Sequence, residues 1–143
     1  MPQTILIADD YEDNLELLRL VLAARDYIVR EARNGKECVA MAREQPPDLI
    51  MVDLSMPLLD GWAVFAELQA DERTAAIPCV AVTAYGESDR ERALAVGFTE
   101  YISKPFRSVE LLETVARLLP NPRSATSREP PEVQKPAPVK VVL

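Results

Sequence analysis

Five short runs of aliphatic and β-branched residues, each followed by a helix-like stretch, constrain this chain more than any other feature. The runs are residues 4–8 (TILIA), 27–32 (YIVREA), 48–53 (DLIMVD), 77–83 (IPCVAVT) and 99–103 (TEYIS). Helical patterns occupy residues 12–25, 35–44, 61–71, 87–96 and 108–119. Strands that alternate with helices of about ten residues predict βαβ units and a parallel sheet.

Strand composition predicts the order. TILIA and LIMV are apolar on both faces, as central parallel strands must be. YIVREA carries Arg30 and Glu31, and TEYIS carries Glu100, which suits sheet edges. The expectation is an α/β, flavodoxin-like (βα)5 three-layer sandwich, with a parallel five-stranded sheet of order 2-1-3-4-5. In that order the ligand site lies at the carboxyl ends of strands 1 and 3. The domain is expected to span residues 1–119. Residues 120–143 hold six of the twelve prolines and no glycine or aromatic residue. They read as a flexible, PPII-like tail, either a linker to a further domain or a terminus.

Charge and composition remove several function classes. The net charge of −7 resolves into −9 on residues 1–119 and +2 on the tail. That balance argues against direct nucleic-acid binding and against anionic membranes. No histidine is present, which excludes histidine zinc sites, Ser–His–Asp triads and Cys–His pairs built from this chain alone. Cys38 and Cys79 are far apart in the chain and read as buried free thiols in a reducing compartment. The first residues lack the basic start and long apolar stretch of a signal peptide, and no apolar run is long enough to span a membrane. A cytoplasmic location is expected.

Three carboxylates should meet at the switch point: Asp9 and Asp10 after strand 1, and Asp53 at the end of strand 3. Three anions in one crevice repel one another unless a hard cation neutralises them, and all-oxygen ligation suits Mg2+. The plainer alternative is that Asp9 and Asp10 cap the next helix while Asp53 caps a turn. Thr83 closes strand 4 and Lys104 follows strand 5. Either could be ordinary, as a hydroxyl-capped turn or a solvated charge. Together they offer a hydroxyl and a cation facing the acids, the set that phosphoryl transfer requires.

Asp9-Asp10, the segment DLSMPLLDG at residues 53–61, Thr83-Ala84 and Lys104-Pro105 resemble the receiver domain of two-component response regulators. Each motif is weak alone, but the four in this order and spacing are specific. The resemblance implies that Asp53 accepts a phosphoryl group from a phosphohistidine on a sensor histidine kinase or histidine phosphotransfer protein. It implies that Asp10, Asp53 and the backbone carbonyl of Ser55 bind Mg2+, with Mn2+ as an alternative, and that Asp9 acts through water. Lys104 would pair with the phosphoryl group and Thr83 would hydrogen-bond to it. The family also makes Pro105 a candidate cis-proline.

The resemblance further implies a switch. Thr83 moving toward the phosphoryl group would vacate space for Tyr101, altering the face made by helix 4, strand 5 and helix 5 for a downstream protein partner or a homodimer. Such a protein is a phosphoacceptor regulator rather than a turnover enzyme, limited to its own phosphorylation and slow dephosphorylation. Ser55 and Tyr85 depart from common family choices, and Tyr85 is expected to hinder the hydrolytic water. Helix 1 carries more leucine than one core stripe requires. Either it buries a broad face, or Asn14, Leu15 and Leu17 edge a docking surface for the phosphodonor.

Other readings fit less well. A haloacid-dehalogenase-type phosphatase wants a second carboxylate where Ser55 stands. A flavodoxin needs a hydroxyl- and glycine-rich phosphate loop where this chain has DDYEDN. The isolated glycines rule out a dinucleotide fingerprint. The remaining alternative is a scaffold or interaction module of the same fold that works without phosphorylation.

Overall fold

Alternation of side chains along three nearly all-buried strands and two edge strands decides the architecture. The structure, a computed structural model, describes residues 2–84 and 87–119. Strands β1 (Thr4–Ala8), β2 (Ile28–Ala32), β3 (Leu49–Val52), β4 (Cys79–Thr83) and β5 (Glu100–Ser103) form one parallel sheet in the order β2-β1-β3-β4-β5. Between and after them run α1 (Glu12–Ala23), α2 (Gly35–Glu44), α3 (Gly61–Gln69), α4 (Glu87–Val96) and α5 (Ser108–Leu118). The expected order and the edge positions of β2 and β5 hold.

Because successive strand residues face opposite sides, each strand feeds two cores. Ile5, Ile7, Met51, Val80, Val82 and Ile102 pack with Leu15, Leu18 and Leu22 of α1 and Leu111 and Val115 of α5. Leu6, Ala8, Ile50, Val52, Ala81 and Tyr101 pack with residues of α2, α3 and α4, among them Val39, Phe65 and Ala93. Cys38 and Cys79 lie in this second core as free thiols. Burial pushes the Cys38 thiol up to about 12 and the Cys79 thiol well above its ordinary value, so both stay protonated and unreactive.

The elements differ from expectation mainly at their ends. Residues 27, 48, 53, 77, 78 and 99 fall outside the strands. Pro78 lacks the N–H a ladder needs, although its carbonyl still accepts from Ile50 N–H at 3.0 Å. Helix α1 stops at Ala23, and Asp26 turns the chain with φ 69°. Its buried stripe is narrow: Leu15, Leu18 and Leu22 are buried, while Leu17 and Leu20 are 47% and 56% exposed. The broad buried face is therefore not what forms. A helix lying on one sheet face covers only the i, i+3, i+7 stripe.

Among the described residues, no helix is long and apolar enough to cross a membrane. The tail, residues 120–143, lies outside the described residues, as does Tyr85.

Candidate functional site

Strand register brings the polar residues to one edge of the sheet. Ala8 pairs with both Ala32 and Val52, and Thr83 pairs with Ser103. The chain continues this register for one more residue: Asp53 N–H donates to the Ala8 carbonyl at 3.0 Å and Lys104 N–H to the Thr83 carbonyl at 2.8 Å. Asp9 and Asp53 thus start their loops side by side. Because Val52 pairs with Ala81, β4 and β5 run two residues farther, so Lys104 starts its loop that much farther along the carboxyl edge of the sheet.

Each of Asp9, Asp10 and Asp53 offers a carboxylate oxygen within 4.8 Å of the others. Asp9 and Asp53 are 2% and 6% exposed, and Asp10 is exposed. Asp9 Oδ1 accepts from Tyr11 N–H at 2.9 Å, and its Oδ2 accepts from Asn14 Nδ2 at 3.2 Å. Asp53 Oδ1 accepts from Ser55 N–H at 3.0 Å and Ser55 Oγ at 3.4 Å. Lys104 Nζ donates to Asp9 Oδ2 and to Asp53 Oδ2, each at 2.7 Å. The helix-capping alternative fails for Asp9 and Asp10, since the N-cap of α1 is Tyr11 with no side-chain cap. Asp53 does close a turn, but with only one of its oxygens.

Burial disfavours the Lys104 ammonium, yet the hydrogen bonds and charges of Asp53 and Asp9 outweigh it and hold its pKa above the ordinary value. The Lys104–Pro105 peptide bond is cis. Thr83 is fully buried, and its Oγ1 has no hydrogen-bond partner among the described residues. Tyr101 is 2% exposed, its ring 5.8 Å from the Arg90 guanidinium of α4, whose Nη1 donates to the Tyr101 carbonyl at 3.3 Å.

The loop after β3 is held close by two glycines. A Cβ on Gly61 would stand 2.6 Å from the Asp53 carbonyl oxygen and 2.7 Å from Leu54 Cα. A Cβ on Gly35 would collide with the Leu59 carbonyl. Asp60 then caps α3 by accepting from Ala63 N–H at 2.9 Å. The DG pair of the motif thus starts the helix and lets it sit against the Asp53 backbone.

The docking candidates separate. Leu15 is fully buried and belongs to the core, so a place on a docking surface is ruled out for it. Leu17 is exposed and lines a groove of about 320 Å3 with Asn14, Ala84, Lys104, Pro105 and Phe106. Asn14 faces both this groove and the acids. Its bond to Asp9 went unread in the sequence; the signal was an amide on the first helical turn after a strand-end acid.

The three carboxylates make an all-oxygen donor set, with that of Asp10 open to solvent. Such a set fits a hard divalent cation that keeps some of its water. Softer metals would want nitrogen or sulfur ligands, and the only thiols are buried in the core.

Comparison with known proteins agrees with this geometry. Residues 5–116 match the response regulator receiver domain family. The polar-differentiation response regulator DivK of Brucella anthropi is 38% identical over 120 residues, covering 83% of this chain and 98% of DivK. The response regulator PleD of Caulobacter vibrioides is 39% identical over 119 residues, 82% of this chain but 26% of PleD. The receiver domain of a Pseudomonas aeruginosa sensor histidine kinase, with a magnesium ion in its active-site cleft, has 31% identity and a TM-score of 0.78; the match covers 85% of this chain and 100% of that one. The chemotaxis protein CheY4 of Vibrio cholerae has 26% identity and a TM-score of 0.78, covering 83% of this chain and all of that chain. With its sheet order, its acidic crevice and a family match over most of its length, this chain belongs to the response regulator receiver domains of two-component signalling.

Proposed function

We propose that Asp53 is the phosphoacceptor of a phosphorylation-controlled switch. The observation that carries this is Lys104 Nζ at 2.7 Å from both Asp9 and Asp53, beside a third carboxylate. An Asp53 oxygen attacks the phosphorus of a phosphohistidine on a kinase or phosphotransfer protein. The P–N bond breaks, and its electron pair returns to the imidazole, which takes up a proton. These residues include no histidine, so the donor lies outside them, on another protein or domain, or is a small phosphodonor.

Asp10, Asp53 and the Ser55 carbonyl would hold Mg2+ or Mn2+, with Asp9 acting through water. When bound, the cation supplies neutralising charge for the phosphoryl oxygens. Lys104 donates to those oxygens from a fixed position, and the Thr83 hydroxyl, unpartnered among the described residues, gains an acceptor there. Movement of Thr83 frees volume that Tyr101 can fill, since both side chains lie on the same side of the sheet. The affected surface is the face of α4, β5 and α5, offered to a protein partner or a second copy.

Incubation with Mg2+ and acetyl phosphate, followed by intact-mass measurement, tests this. One added phosphate on wild type and none on Asp53→Ala is the expected result. No phosphate on wild type with several donors would instead favour a scaffold that works unphosphorylated.

A further inference from the structure

Among the described residues three donors hold Asp9, and one of them is not among the residues expected to build the site. Asn14, half-buried on the first turn of α1, donates Nδ2–H to Asp9 Oδ2 at 3.2 Å. The same oxygen accepts from Lys104 Nζ at 2.7 Å, and the opposite oxygen accepts from Tyr11 N–H at 2.9 Å. At 2% exposure, the Asp9 carboxylate takes its orientation from these groups rather than from bulk water.

The chemistry of the amide matters here. A carboxylate at position 14 would add a fourth negative charge to the crevice. An ammonium would neutralise Asp9 and compete with any metal. An amide donates one hydrogen bond and leaves the charge unchanged, so it aims the carboxylate without spending it. Outer hydrogen bonds of this kind set the orientation of acidic groups around a cation.

We infer that Asn14 is a positioning residue of the acidic crevice, orienting Asp9 so that its charge is shared between Lys104 and the divalent cation beside Asp10 and Asp53. This rests on the phosphoacceptor reading above. It differs from a docking role for Asn14, which its place on the groove with Leu17 and Phe106 would also allow, and the two are separable.

The full chain and its Asn14→Ala variant are titrated with Mg2+ by calorimetry, and phosphorylation by acetyl phosphate is followed across Mg2+ concentrations. The Mg2+ dissociation constant should rise by about tenfold in Asn14→Ala. The Mg2+ concentration for half-maximal phosphorylation should rise by the same factor, with the unfolding midpoint in Mg2+-free buffer shifted by no more than a few degrees. Asn14→Gln, which keeps the amide, should recover part of the affinity. Unchanged Mg2+ affinity in Asn14→Ala, with slower transfer only from a histidine phosphotransfer protein, would make Asn14 a docking residue and overturn the inference. A wild type that binds Mg2+ but takes no phosphate would defeat the phosphoacceptor reading, while the calorimetric comparison would still decide the role of Asn14.

Discussion

Lys104 Nζ lies 2.7 Å from Asp53 Oδ2 across the end of the intervening strand β4. The same ammonium reaches Asp9 at 2.7 Å, so one cation serves two buried carboxylates. Lys104→Met leaves those acids facing each other unneutralised. Urea unfolding in Mg2+-free buffer should show a loss of about 1.5–3 kcal/mol, the range for hydrogen bonds to charged groups. Mg2+ should then raise the unfolding midpoint more in the variant than in wild type, because binding to the folded state alone stabilises it. Equal Mg2+ shifts would mean that Lys104 and the metal do not share these carboxylates.

Thr83 carries a buried hydroxyl with no partner among the described residues, a group that costs stability in the resting fold. Thr83→Val swaps it for a methyl of similar shape. The variant should be as stable as wild type or more so, by up to about 1 kcal/mol, yet slower to accept phosphate. Chemical denaturation and acetyl phosphate kinetics check the two halves; a clear loss of stability would show that the hydroxyl has a partner in the resting state.

Gly61 stands where a Cβ would press on backbone of Asp53 and Leu54 rather than on a flexible side chain. Gly61→Ala should cost about 1–3 kcal/mol through overpacking, against the ordinary gain from placing alanine in a helix. It should also slow phosphorylation, since the backbone that must yield carries Asp53. Normal kinetics in a destabilised variant would separate the loop packing from the chemistry.

Leu15 and Leu17 are two residues apart on α1, yet one is fully buried and the other 47% exposed. Leu15→Ala should destabilise by about 2–5 kcal/mol. Leu17→Ala should change stability by no more than about 1 kcal/mol and, if the groove receives a phosphodonor, slow transfer from a protein donor but not from acetyl phosphate. Similar stability losses at both positions would contradict the narrow stripe.

Asp71 opens the turn after α3, with its carboxylate held by the Arg73 side chain and N–H, and by the charge of Arg43, whose Nε lies 3.1 Å away. The Arg73 side-chain hydrogen bond leads in lowering its pKa from 3.8 to about 2. A carboxyl whose folded value is depressed stabilises fully above its unfolded value and loses that contribution as pH falls through the folded one. The stability gap between wild type and Asp71→Asn should therefore be flat from neutral pH to about 5, narrow below 4, and close only at about pH 1. Urea midpoints across this range would show it, and a gap that does not narrow between about pH 4 and pH 1 would assign the effect to something other than charge.

Much of the fold is legible in the linear chain because its causes are local. Apolar runs of five or so residues, broken by helical stretches, leave a parallel sheet as the way to bury them, and Arg30, Glu31 and Glu100 can only tolerate edges. The candidate site is legible for a related reason: residues just past strand ends inherit their position from the sheet, so Asp9, Asp53, Thr83 and Lys104 needed only the strand order to be placed together. Helix faces were harder. Leu17 and Leu20 carry the same side chain as Leu15 and Leu18, and no propensity distinguishes them.

Hydrophobic period and strand length act over a few residues, so the linear chain already specifies the parallel sheet, its edges and the collection of acids at one rim. It takes the packed domain to make Lys104 divide its charge between Asp9 and Asp53, to turn Asn14 inward to Asp9, and to place Leu15 in the core while Leu17 lines a groove. Those outcomes hang on register between strands and on the rotation of α1 about its axis. Both are set by the summed packing of two cores, which no single residue encodes.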